Sequence, residues 1–263
     1  MREILSDLVA EQQQLDQFLQ TLRTRQWETK TPAEGWTIQD TVSHLAYTEA
    51  LAAEVIEQGR PRIDAEAITD IDSWTDRGVQ QGRGRRHQEI IEWWRFGRAD
   101  VVEALSRMLA TERIEWIHGD MSARTFATTR LMETWAHGLD IKASILGRMT
   151  PLETPPDDVD EDEWHDPLED TPRLRHIAHL GQMTLPYAFS KAGEEFPKDG
   201  IRVEVMGPLY AAWRFGPEDT DQVIKGMAGD WCRVVVRRQD AADTGLKAVG
   251  EQAERALEIA RAY

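Results

Sequence analysis

A glutamate and a histidine four residues apart, Glu133 and His137, lie within the run LMETWAHGLD. Four residues turn a helix by about 400°, a net offset of roughly 40°. The two side chains therefore project from one face, one turn apart. A carboxylate and a neutral imidazole so placed can hold one divalent ion, zinc or another transition metal. Arg130 and Asp140 share this face, with Ala136 or Leu139 nearby. Taken alone, the pair is also the spelling of a surface ion pair, or of a core histidine satisfied by its neighbour. A second histidine bears on that choice. His44 stands between Val42 and Leu45 in GWTIQDTVSHLAYTEA, on a helix whose inward face is apolar. A buried imidazole needs a partner for each ring nitrogen, and bundles build metal sites from side chains on facing helices. His44, Glu133 and His137 would together leave one coordination position open, as catalytic metal sites do. Asp40, one turn before His44, has two readings. It caps the helix, or it accepts the N–H of a ligating imidazole.

The elements that must position these residues follow from apolar spacing. Residues 2–24 carry Ile4, Leu5, Leu8, Leu15, Phe18, Leu19 and Leu22 at helical intervals. Pro32 and Gly35 break that pattern. Thr37 and Asp40 form a capping box that starts a second helix, which runs to about Gln58 before Gly59 and Pro61. Residues 60–83 are polar and turn-rich, with room for one short helical piece. A third long helix is expected over roughly 85–110, with Ile90, Ile91, Trp94, Val101, Val102, Leu105 and Leu109 inward. EWIHGDMS reads as a connection, and Ser122 or a near neighbour starts a fourth helix that ends near Leu146, before Gly147. Four long helices with modest connections predict a four-helix bundle over residues 1–150.

Residues 151–171 hold ten acids, four prolines and no Lys or Arg, and read as an acidic linker in preference to an acidic flap. A small α+β domain is expected over 172–263. It comprises a helix over about 172–192, an alternating strand in IRVEVMG and a hairpin partner in AAWRFGP. A helix near 219–230, a strand near GLKAV and a last helix over 250–262 complete it, with CRVVVRR either extending the helix before it, the favoured reading, or forming a strand.

GWTIQDTVSHLA, followed some 90 residues later by ETWAHGLDI, resembles the DinB-like metal-binding superfamily, and within it the mycothiol-dependent maleylpyruvate isomerase-like family. Gly35, Trp36, Thr37, Asp40, His44 and Leu45 match its first motif; Glu133 and His137 match its second. The resemblance implies a mainly α fold, a metal-binding four-helix bundle followed by a small α+β C-terminal domain. It implies that His44, Glu133 and His137 hold a divalent metal, usually zinc, and that a small-molecule thiol such as mycothiol is the reagent. It also implies an arginine in the second domain that meets an anionic group. Arg233, Arg237 and Arg214 are candidates for it, each also readable as a surface charge.

The reaction expected from this is thiol transfer or isomerisation, in which a metal-held thiolate attacks an electrophilic substrate. Two alternatives share the ligands: a hydrolase that uses metal-bound water, and a non-catalytic metal- or ligand-binding protein. Charge excludes other classes. The net formal charge is −16, ten of it from residues 151–171, and no basic face stands out for nucleic acid or anionic membrane. Arg83, Arg85 and Arg86 read as a solvated helix start. The single cysteine, Cys232, lies among apolar residues, reads as a buried structural thiol, and suits a cytoplasmic protein. No apolar run is long enough for a membrane span. His176 and His179 share a helix face and read as packing residues or, less simply, a second metal pair. His87, His118 and His165 are expected to face solvent.

Overall fold

The computed structural model describes residues 1–59, 71–117, 119–152, 154–157 and 164–262, with the side chains of 71–74 set aside. The described chain divides into two compact units, Met1–Leu168 and Glu169–Tyr263.

The first unit is built on α1 (Arg2–Thr21), α2 (Ile38–Gln58), α3 (Ile71–Gly82), α4 (His87–Ser106) and α5 (Ala123–Leu146). α2 packs against α3, α4 and α5, and α1 against α4 and α5. Leu15, Leu19, Ile38, Val42, Leu45, Ile90, Trp94 and Ile141 form the shared core. The helix ends follow local chemistry. The Thr37 hydroxyl accepts the Asp40 N–H at 3.2 Å, and Asp40 Oδ2 accepts the Thr37 N–H at 3.0 Å. Ser122 caps α5 by accepting the Thr125 N–H, and Gly147 ends it with φ 69°, a left-handed conformation that glycine adopts without strain. A part-buried ionic tie joins α1 to α4: Asp16 accepts from Arg95 at 2.6 and 2.8 Å and from Arg98.

Three expectations for this unit need correction. Residues 113–122 are a hairpin, β1 (Arg113–Trp116) paired antiparallel with β2 (Gly119–Ser122), because Ile114 and Trp116 alternate inward. α4 stops at Ser106, so Leu109 is 69% exposed rather than inward. The expected linker is partly folded onto the unit. Asp166 is buried, accepts from Arg148 at 2.8 Å and from the N–H groups of Leu152 and Leu168, and Leu168 is buried beside it. Its most acidic stretch, 158–163, lies outside the described residues, as do 60–70.

The second unit holds α6 (Leu174–Met183), α7 (Leu185–Ala192), β3 (Arg202–Met206), β4 (Ala212–Phe215), β5 (Val223–Met227), α8 (Ala228–Val235), β6 (Lys247–Val249) and α9 (Glu251–Ile259). The sheet order is β4-β3-β5-β6, with β3 and β5 parallel and the outer pairs antiparallel. The chain breaks at Thr184, ahead of Pro186, so the single helix expected over 172–192 is two. The helix expected near 219–230 is instead strand β5 followed by α8. Val223 and Ile224 favour a strand, and Gly226 takes a positive φ of 152° where a Cβ would stand 2.8 Å from Leu246. Of CRVVVRR, the residues Cys232–Val235 lie in α8, as read, and the chain leaves the helix at Val236. No described helix is long and apolar enough to cross a membrane.

α2 and α4 approach closely at Gly97. A Cβ there would stand 3.0 Å from the Ala50 backbone nitrogen and 3.2 Å from Glu49 Cβ. Gly97→Val is expected to force the helices apart and cost about 1–3 kcal/mol, read as a lowered urea midpoint.

Candidate metal centre

His44 comes from the second turn of α2, behind the Thr37–Asp40 cap, and Glu133 and His137 come from the middle of α5. The three side chains converge, with one ligating atom from each lying within 4.8 Å of the others. Glu133 Oε2 is 3.6 Å from His44 Nε2 and 3.6 Å from His137 Nε2. Both separations exceed a hydrogen bond. They match the spacing of about 3.2–3.6 Å between ligand atoms that surround a tetrahedral ion at roughly 2.0–2.2 Å. The other ring nitrogens differ. His137 Nδ1 is 3.2 Å from Asp140 Oδ2, which is buried. His44 Nδ1 is buried without a hydrogen-bond partner among the described residues. Glu133 Oε2 thus stands at ligand spacing from the Nε2 atoms of both rings, so the donor set fits a divalent cation.

In the metal-free site the electrostatics hold Glu133 and His44 in the forms a ligand needs and favour a proton on His137. Burial raises the Glu133 carboxyl, yet the two imidazoles and Arg130 outweigh it and hold it well below the usual carboxylate range. Burial lowers His44, which favours the neutral ring a ligand needs. Burial also opposes charge on His137, but Asp140 and Glu133 outweigh it and lift its pKa to about 8. Trp36 roofs the pair, its ring centroid 5.0 Å from His44 and 6.1 Å from His137.

One turn before Glu133, Arg130 lies 3.9 Å from Glu49 of α2, both side chains nearly fully buried. Burial lifts the Glu49 carboxyl to about 7, against the pull of Arg130. Asp140 and Arg130 were visible in sequence as residues of the Glu133 face. The partner of Arg130 was not, because Glu49 sits in a mostly apolar run and only packing shows that it is buried. Trp36 belonged to a recognised motif without a role. Asp40 is taken up by the cap and by Arg83 at 3.5 Å, so the imidazole's acceptor is Asp140.

Other candidates resolve plainly. Arg233 is not a surface charge. It is buried and bonded to Asp170 at 2.9 Å, with Asp230 and Gln239 beside it. Arg214 and Arg237 are exposed. Cys232 is buried, its Sγ 3.6 Å from the Leu174 carbonyl, and burial pushes its thiol pKa well up. His179 stacks on Phe215 at 5.0 Å and His176 is half-buried. His165 is exposed, while His87 is half-buried and stacks on Trp27 at 5.3 Å, contrary to its solvent-facing reading. His118 lies outside the described residues. Arg86 caps α4 with Glu89, Arg85 lies over Trp93, and Arg83 meets Asp40.

The mycothiol maleylpyruvate isomerase N-terminal domain family matches residues 8–142, a span that carries all three converging side chains. The chain belongs to this family. Two uncharacterized proteins of Mycobacterium tuberculosis, from strains CDC 1551 and H37Rv, are each 35% identical to it over 261 residues, covering 98% of this chain and 94% of theirs. Among solved structures, it is similar to the mycothiol-dependent maleylpyruvate isomerase, with a TM-score of 0.59 and 14% identity, over 94% of this chain and 92% of that one. A His-to-Ala mutant of that enzyme gives a TM-score of 0.58 with the same identity and coverage. At that identity the likeness concerns the fold: a mainly helical chain with a small sheet-bearing C-terminal part.

The site makes stability pH-dependent in the metal-free protein. His137 binds its proton more tightly folded, at about 8 against 6.5, so its contribution is complete below 6.5 and is lost as pH rises through 8. Glu49, at about 7 against 4.5, acts in the same sense but is spent once pH passes 7. His44, lowered from 6.5, acts oppositely and only below 6.5. Metal-free protein should therefore lose stability as pH rises from about 7 through 8, and His137→Gln should remove that loss, read from urea midpoints.

Proposed function

We propose that this chain is a divalent-metal-dependent enzyme that uses a small-molecule thiol against an electrophilic carbon, as an isomerase or S-transferase. The observation that carries this reading is the convergence of His44, Glu133 and His137 within 4.8 Å in a member of this family. His44, Glu133 and His137 would hold the metal, zinc being the first choice for such a donor set. A bound divalent cation would favour thiolate over thiol at neutral pH. Mycothiol is the thiol named for the structural relative, and an unsaturated acid akin to maleylpyruvate is the matching substrate class.

The chain's own residues have separate tasks. Asp140 accepts the His137 Nδ1 proton, which fixes the ring and leaves the Nε2 lone pair on the Glu133 side. Glu133 supplies one negative charge and His44 a neutral ring. Trp36 keeps water from one side of both rings. On the substrate, sulfur adds to one alkene carbon and the electron pair passes to a conjugated carbonyl. Rotation about the new single bond and expulsion of sulfur then restore the alkene in the other geometry. No residue needs to supply a nucleophile, which agrees with an inert, buried Cys232.

The deciding experiment compares turnover of activated alkenes with and without added thiol. Turnover that requires thiol supports the reading; turnover with none would turn it towards hydrolysis, and a tightly held metal with no turnover towards binding alone. His44→Ala and His137→Ala should each leave metal content far below stoichiometric by elemental analysis, and full occupancy in both would defeat the ligand assignment. Asp140→Asn should weaken zinc by about 10–100-fold in a chelator competition. Occupancy should also fall as pH drops towards about 5, because ligating imidazoles must be neutral.

A further inference from the structure

Two nearly fully buried arginines of this chain are used in two different ways. Arg233 spends its donors on Asp170, Asp230 and Gln239. It bonds through all three of its nitrogens, as a buried guanidinium does when its task is to hold the fold. Arg130 is buried as deeply, yet its Nε and Nη1 have no hydrogen-bond partner among the described residues. Glu49, its counter-charge, stays at 3.9 Å, and neither Glu49 oxygen is hydrogen-bonded. A guanidinium meets a structural carboxylate through paired bonds of about 2.7–2.9 Å; this pair balances charge without using those donors.

Arg130 is held instead by ring faces. Its guanidinium carbon lies 5.2 Å from the Trp116 ring centroid and 5.6 Å from that of Phe126. Cation–π contact fixes a guanidinium through its charge and plane and leaves the N–H groups free. Arg130 also precedes Glu133 by three residues and His137 by seven, so all three lie on one stripe of α5. An anion brought beside Glu133 meets repulsion from that carboxylate, and Arg130 is the cation on the stripe that offsets it.

We propose that Arg130 is the anion anchor of the site, its free N–H groups receiving a carboxylate of the molecule that occupies the open side of the His44–Glu133–His137 group. Glu49 balances the guanidinium charge while no anion is bound. Arg130 is thus a specificity-determining residue, selecting electrophiles that carry a carboxylate over neutral ones. The assignment rests on that group being the reaction centre.

The test is calorimetric titration of full-length protein, zinc-loaded and metal-free, with maleate and with its neutral dimethyl ester. Wild type should bind maleate in preference to the ester. Arg130→Met should weaken maleate roughly tenfold or more, Arg130→Lys should fall between because it keeps charge but not the fork, and Glu49→Gln should bind maleate more tightly. Zinc content should be unchanged in all three. Wild-type maleate affinity in Arg130→Met overturns the proposal. If that variant does not fold, wild-type affinity in Arg130→Lys, or no gain in Glu49→Gln, overturns it equally. A wild type that does not prefer maleate also overturns it. A wild type that takes up no zinc but still binds maleate through Arg130 would defeat the metal reading alone.

Discussion

A carboxylate half-buried between two imidazoles is the constraint around which the first unit is organised. Removing an ionised carboxyl from water costs several kcal/mol unless charge and hydrogen bonds replace the solvent. Glu133 receives favourable charge from His44, His137 and Arg130, which holds it ionised. It does not receive close hydrogen bonds, since both imidazole nitrogens stand 3.6 Å away. That separation is too long for the chain to satisfy itself and suits atoms that share a cation. Tolerating the group requires a rigid frame, and the frame is the packing of α2 on α5 with α4 drawn close at Gly97.

Around that centre the polar groups divide by what they have left to offer. Asp140 spends an oxygen on His137 and so orients a ring. Asp40 spends Oδ2 on the α2 cap and so orients a helix. Arg130 and Glu49 spend little on each other, although both are buried. A fold under pressure only for stability would close such a pair or replace it with apolar side chains. The Asp16–Arg95–Arg98 cluster, on the same bundle, shows the closed form. The chain's strong negative charge plays no part in this, because most of the excess lies between residues 151 and 171.

The second unit was harder to read than the first. Helices of 20 or more residues repeat their apolar period several times, and their ends carry capping chemistry, so α2 and α5 were legible to within a residue or two. A strand of five residues offers two or three inward positions, too few to separate from a helix turn, which is why β5 was read as helix. The β1–β2 hairpin escaped for the same reason.

The sequence by itself determined the long helices, their caps, and the three residue types that form the candidate centre, because period and capping are local properties of the chain. It also displayed Arg130 and Asp140 on the right face of α5. Only the tertiary structure decided that His44, 89 positions from Glu133, faces it at 3.6 Å. Tertiary packing likewise made Arg233 a saturated core residue and left Arg130 with donors to spare. Burial and distance between separate helices are set by packing, and no spacing along one chain encodes them.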